Sequence, residues 1–114
     1  MARSNYGRRS KYGAKRVVTH NGEKFASKRE YSRYGELLWE VKAGVVWDLE
    51  RQVRFDFIVN GKKVGWYTLD FVYRRKDVPK KVAEELKGYA ARDYALRRNL
   101  FKALYPEYQF VETK

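Results

Sequence analysis

Residues 67–73, Tyr67-Thr68-Leu69-Asp70-Phe71-Val72-Tyr73, set an aspartate in the middle of an otherwise apolar and aromatic run. From Trp66 to Tyr73 bulky residues occupy both parities. That is the pattern of a strand covered on both faces, where a carboxylate must be paired, metal-bound or destabilising. Downstream, Val82 to Lys87 reads as a further strand, and its period of two sends Glu85 and Lys87 to one face and Leu86 to the other. If the two strands are neighbours, Asp70, Glu85 and Lys87 converge. Two carboxylates held close together resist joint ionisation unless a cation lies between them, which suits a hard divalent ion such as Mg²⁺. Lys87 would then orient or deprotonate a water, or steady a phosphate oxygen. The plain alternative is a buried salt bridge from Lys87 to Asp70 or Glu85.

Upstream, Asn60-Gly61 is the two-residue signal for a tight hairpin turn, with extended segments expected at Val45 to Leu49 and Gln52 to Val59. An antiparallel meander follows, turning again at Lys76-Asp77-Val78-Pro79-Lys80, and Gly88 ends the strand that carries Glu85. A helix is expected from about Ser27 to Lys42, because Ser27 and Glu30 have capping-box spacing and Gly44 supplies a stop. Glu30, Tyr34, Leu37, Leu38 and Val41 share one face of it, so Glu30 heads the apolar stripe. Its carboxylate either caps the helix start or reaches the same metal as Asp70 and Glu85, and the two roles are compatible. A second helix is expected over about Ala91 to Leu104, with Arg92, Arg97, Arg98 and Lys102 forming a basic side that is either solvated or a phosphate clamp. Tyr108 to Glu112 returns as a last strand. Near the start, Val17-Val18-Thr19 reads as a short edge strand ending in the turn His20-Asn21-Gly22-Glu23.

The chain has 114 residues, enough for one domain with a single core. Hydrophobic residues make up 44% and aromatic ones 17%, which supports a packed interior despite 35% charged residues. There is no cysteine, which excludes a thiolate metal site or nucleophile, and His20 is the only histidine, which argues against a His-rich zinc centre and a Ser-His-Asp triad within the sheet, so any metal is expected to be held by oxygen. No apolar run approaches the roughly 20 residues that span a bilayer, and no signal-peptide core is seen, so a soluble, cytoplasmic protein without a membrane partner is expected. The net charge is +12. Arg3, Arg8, Arg9, Lys11, Lys15 and Arg16, with no acid between residues 1 and 16 and with Tyr6 and Tyr12 interleaved, read as a basic arm that lays cations along phosphates and stacks on bases. The alternatives are a solubilising tail or an anchor for anionic surfaces. The arm is taken as residues 1–22 and the domain as 23–114.

The order of a helix with a glutamate, a hairpin, a strand with Asp, a strand with Glu-x-Lys and a second helix resembles the PD-(D/E)XK nuclease superfamily, and is most similar to small phage-encoded members. The matching pieces are Lys11-Tyr12-Gly13, Phe25-Ala26-Ser27-Lys28-Arg29-Glu30 with Tyr34, Leu49-Glu50-Arg51-Gln52, Asp70-Phe71-Val72-Tyr73 and Glu85-Leu86-Lys87-Gly88. The resemblance implies an α/β (mixed α+β) fold with a restriction-endonuclease-like core, a central mixed sheet of four to five strands flanked by two helices. It also implies metal-dependent phosphodiester cleavage. Glu30, Asp70, Glu85 and Lys87 match the superfamily's catalytic positions. Mg²⁺, or Mn²⁺ in its place, would be held by Asp70, Glu85, Glu30 and the carbonyl of Leu86. Gln52 would hydrogen-bond a metal water or, as slightly favoured, tie down buried backbone. Leu69 stands where the superfamily name has proline, and Glu85 where the closest group often has Asp; a bulge would let Glu84 replace Glu85. The implied function is a structure-selective DNA endonuclease acting as a homodimer on branched duplex such as Holliday junctions, in phage recombination or replication within the host cytoplasm. Arg97 and Arg98 join the arm as expected DNA contacts. The alternatives are a nuclease that nicks, trims flaps or degrades host DNA, and a non-catalytic nucleic-acid-binding protein on the same fold.

Overall fold

The computed structural model describes residues 17–18, 22–86 and 93–113. Its fold is mixed α+β, and the chain divides into two compact units, Met1–Trp39 and Glu40–Lys114.

In the first unit, strands β1 (Val17–Val18) and β2 (Lys24–Phe25) pair antiparallel, Val17 with Phe25 and Val18 with Lys24. Val17–Val18 is thus the short strand expected there, within the stretch taken as the arm. Phe25 is buried and meets the rings of Tyr31 and Tyr34 at 5.1 and 5.4 Å. Helix α1 (Lys28–Lys42) starts at the expected Ser27, whose Oγ accepts the Glu30 amide at 3.2 Å. Glu30 Oε1 reaches back to the Ala26 amide at 3.0 Å, one residue before the usual capping-box donor. Leu37 is buried, whereas Leu38 is exposed, as is Val41. The inward seam is thus narrower than the five-residue face read from the sequence, because Glu30 and Leu37, seven apart, fall on one line of the helix.

In the second unit α1 ends as Gly44 predicts. Gly44 has φ +79° and donates to Val41 O at 3.0 Å, while Val45 donates to Glu40 O at 2.9 Å, the paired bonds of a Schellman motif. Four strands then build a sheet in chain order: β3 (Val46–Val59), β4 (Lys62–Arg75), β5 (Lys81–Leu86) and, after helix α2 (Tyr94–Leu104), β6 (Tyr108–Thr113). The first three are antiparallel and β6 runs parallel to β5, the arrangement that needs a crossover such as α2. Asn60 and Gly61 have φ +52° and +77°, both positive as a type I′ hairpin turn requires. The two extended segments expected at 45–49 and 52–59 form one strand instead. A bulge between Trp47 and Glu50, with Asp48 at φ +56°, lets the ladder to β4 continue through the polar stretch. The expected start of α2 near Ala91 lies outside the described residues.

The core of this unit is Phe55, Phe57, Tyr67, Leu69, Val72 and Ala83 from the sheet with Phe101 from α2. Phe55 meets Phe101 at 4.9 Å and Tyr105 at 5.0 Å, edge to face, a geometry that adds to the burial of the rings. Leu69 and Val72 belong to this one cluster although period two puts them on opposite faces. The alternation of β4 therefore reverses between them, beside Asp70.

Candidate active site

The reversal in β4 faces an irregularity in β3. Arg51 pairs with Phe71 and Val53 with Leu69, which leaves Gln52 across from Asp70, and Gln52 has φ +51°. A left-handed residue that is not glycine costs about 1–3 kcal/mol and persists where its surroundings enforce it. Here its side chain is aimed at the carboxylate: Gln52 Nε2 donates to Asp70 Oδ1 at 3.2 Å. On the other flank the β4–β5 ladder ends at Phe71 and Glu84, and the next step of that register sets Glu85 across from Asp70. Asp70 Oδ2 there accepts the Leu86 amide at 2.8 Å, taking the place of a backbone carbonyl. Across the parallel pair, Glu85 is matched with Glu112. Gln52, Asp70, Glu85 and Glu112 thus form one polar row across all four strands.

Two phenols line this row. Tyr67 is only 5% exposed, and its buried hydroxyl has the Tyr94 phenol beside it. Burial raises its pKa far above the ordinary phenol value, and Glu85, the neighbouring Tyr94 and Asp70 push in the same direction. Ala83 and Val72 belong to the core that Phe101 covers and lie two residues from Glu85 and Asp70 in their strands, so the period of two puts both carboxylates on the α2 side of the sheet. Tyr94, at the start of α2, donates to Glu112 Oε2 at 2.9 Å, and burial, Glu112 and Glu85 all raise its pKa.

Of the residues singled out from sequence, Asp70, Glu85, Leu86 and Gln52 come together. Leu86 contributes its amide, and since a residue in an extended strand presents its N–H and C=O to the same side, its carbonyl faces the same edge. Gln52, read mainly as a backbone tie, bonds Asp70 directly. The bulge that would let Glu84 replace Glu85 is absent from the β5–β6 ladder, which pairs without a break from Lys81 to Leu86. Glu84 is buried across from Phe71 and accepts the Tyr73 hydroxyl at 2.6 Å. Glu30 lies in the first unit, where it closes the capping box. Lys87 and the arm residues Arg3, Arg8, Arg9, Lys11, Lys15 and Arg16 lie outside the described residues. Arg97 pairs with Asp93 at 3.2 Å and the Arg98 guanidinium sits 5.5 Å from the Tyr94 ring centroid. Sequence reasoning missed Tyr67, Tyr94 and Glu112. Glu112 carried no local signal: it meets Glu85 only because Tyr108 pairs with Lys81, one residue before the strand start at Val82 read from the sequence.

Among the described residues, no three His, Cys, Asp or Glu side chains gather closely enough to hold a metal by themselves. Asp70 and Glu85 offer a hard, all-oxygen donor set of two carboxylates. That matches Mg²⁺, which is commonly bound through one or two carboxylates and completes its shell with waters and substrate phosphates. No helix among the described residues is long and apolar enough to cross a membrane. No curated protein and no solved structure matches this chain. Residues 9–113 do match the model of DUF1064, described as a protein of unknown function, and the chain belongs to that family.

Proposed function

We propose that this protein is a divalent-cation-dependent DNA endonuclease with a PD-(D/E)XK-type site, selective for branched DNA. The observation that supports it most is the treatment of Asp70: a strained glutamine and a strand-end amide fix its carboxylate across from Glu85. Asp70 and Glu85 would hold Mg²⁺ or Mn²⁺ with the Leu86 carbonyl, and Glu30 is carried as a further ligand only by the resemblance. When bound, the ion supplies Lewis-acid polarisation of the scissile phosphate and a more acidic water.

The chain's own groups do the rest. Gln52 and the Leu86 amide fix the orientation of Asp70, as outer partners of metal carboxylates do. Tyr67 and Tyr94 keep one side of the row covered by protein, so charges there act through a lower dielectric than water. Lys87, next after Leu86, positions the attacking water and offsets negative charge developing on the phosphate. The net charge of +12 favours a polyanionic substrate, and a homodimer would let two strands of a junction be cut together.

The test compares wild type and Asp70→Asn on labelled four-way junction, flap and linear duplex, with and without Mg²⁺ at matched salt. Wild type is expected to cut the junction fastest and only with the cation. Asp70→Asn should lose more than about a hundredfold in rate, beyond the usual cost of removing an outer partner, while still binding DNA. Equal rates on all three substrates would replace junction selectivity by a more general nuclease role. Activity unaltered in Asp70→Asn would leave a nucleic-acid-binding protein without catalysis at this row.

A further inference from the structure

The β3–β4 ribbon carries a second cluster on the face turned away from α2. Asp56 pairs with Trp66 and Arg54 with Thr68, so these four alternate with the core residues Phe55 and Tyr67 and point the other way. Trp66 is 51% exposed. The Arg54 guanidinium lies 4.8 Å from its ring centroid and Lys63 Nζ lies 5.8 Å away. Lys63 reaches this face because the register shifts between Phe57 and Ile58, where Val64 is the extra residue on β4. Asp56 Oδ1 takes Arg54 Nε at 3.1 Å and Lys63 Nζ at 3.5 Å, so one carboxylate holds two cations beside one indole. The Arg54 hydrogen bond holds the Asp56 carboxyl below its ordinary pKa, so this carboxylate stays ionised at neutral pH.

A large aromatic surface in water, flanked by fixed cations, has the chemistry of a base-stacking platform. We propose that this ribbon face binds an unpaired stretch of nucleic acid, one base stacked on Trp66 and the adjoining phosphates against Arg54 and Lys63. Charge selects the occupant. Arg54 and Lys63 give the cluster two cations to one carboxylate, so a second copy of the chain would bring like charges together, whereas a polyanion neutralises them. Within a duplex the bases are stacked on one another and cannot reach an indole on a flat sheet face. In an unpaired segment beside a branch, such as a flap, they are within reach.

The inference rests on the DNA-cutting reading for the identity of the partner and deepens it. Asp70 and Glu85 lie on the α2 side of the sheet and Trp66 on the reverse, so the ribbon holds one strand on each face.

Binding is read with the full chain carrying Asp70→Asn, using a short single-stranded oligodeoxynucleotide and a blunt duplex of the same length as probes. Adding Trp66→Ala should weaken single-strand binding about tenfold, the worth of one stacked base, and change duplex binding far less. Trp66→Phe, which keeps an aromatic face and guards against misfolding of the smaller variant, should recover most of the loss. Arg54→Gln with Lys63→Gln should flatten the salt dependence of single-strand binding. Single-strand affinity indifferent to Trp66→Ala would overturn the proposal, as would a loss in which the variant only shifts a monomer–dimer equilibrium. Junction cleavage by wild type is scored separately. Trp66-dependent binding without cleavage removes the nuclease reading alone, and cleavage with Trp66-independent binding removes this one alone.

Discussion

Gln52 is the residue at which backbone strain and chemistry meet. Its φ of +51° is an arrangement that glycine adopts without a Cβ penalty, yet the position holds a side chain that reaches Asp70. Two substitutions separate these effects. Gln52→Gly and Gln52→Ala both remove the hydrogen bond, so both should slow cleavage, by about 10- to 100-fold as for loss of an outer partner of a metal carboxylate. Their stabilities should differ, with the glycine variant more stable than the alanine variant by about 1 kcal/mol, the reverse of their order at a regular strand position. Thermal melts of the pair read this directly as a difference of roughly 4–8 °C for a domain of this size. Alanine equal to or better than glycine would mean that residue 52 relaxes out of the left-handed region.

Helix α1 illustrates how a local signal becomes a structural element. Ser27 Oγ and Glu30 Oε1 satisfy two of the amides around its first turn, and Gly44 closes its end, so both boundaries are set by residues within a few positions of them. Ser27→Ala should therefore cost about 1 kcal/mol. Glu30→Gln keeps an oxygen for the Ala26 amide and should melt within about 1 kcal/mol of wild type, which a urea titration measures. A large loss in Glu30→Gln would show that the charge itself holds the first unit together. The same locality explains what the sequence disclosed. Ser27, Gly44, Asn60-Gly61 and the alternation around Asp70 and Glu85 announce their elements through short-range stereochemistry, and the antiparallel part of the sheet follows from them, whereas its mixed character was implied only by the resemblance. The joining of residues 45–49 to 52–59 was not legible, since Asp48, Glu50, Arg51 and Gln52 interrupt the apolar pattern and only the ladder with β4 carries the strand through. Tyr67 was hidden for a related reason: strict alternation sends it away from Asp70, and the reversal before Val72 brings it back. Glu112 depends on the parallel register of β6 against β5, which no local pattern encodes.

At the scale of the whole molecule, alkaline pH probes the phenols along the polar row. Tyr67 and Tyr94 have pKa values raised chiefly by burial and then by the carboxylates beside them, and burial raises Tyr108 as well. An unfolded chain releases its phenolic protons near pH 10, while the native chain still holds those of Tyr67 and Tyr94. Above pH 10 the native state thus binds more protons than the unfolded one, and stability falls as pH rises. The net charge of +12 acts in the opposite sense, because lysines losing charge in the same range relieve self-repulsion. Wild type alone therefore cannot report the phenols, but a pair of variants can. At pH 7, Tyr67→Phe should change stability by no more than about 1 kcal/mol, since its buried hydroxyl has only the Tyr94 phenol beside it, whereas Tyr94→Phe should lose about 1 kcal/mol with its bond to Glu112. Between pH 9 and about 11.5 both should melt with a shallower decline than wild type, each lacking one phenol that resists ionisation only when folded. Parallel declines in all three proteins would mean that the two hydroxyls ionise in the native state as readily as in the unfolded chain. That outcome would place solvent, and with it a wetter carboxylate row, where the fold puts Tyr67 and Tyr94.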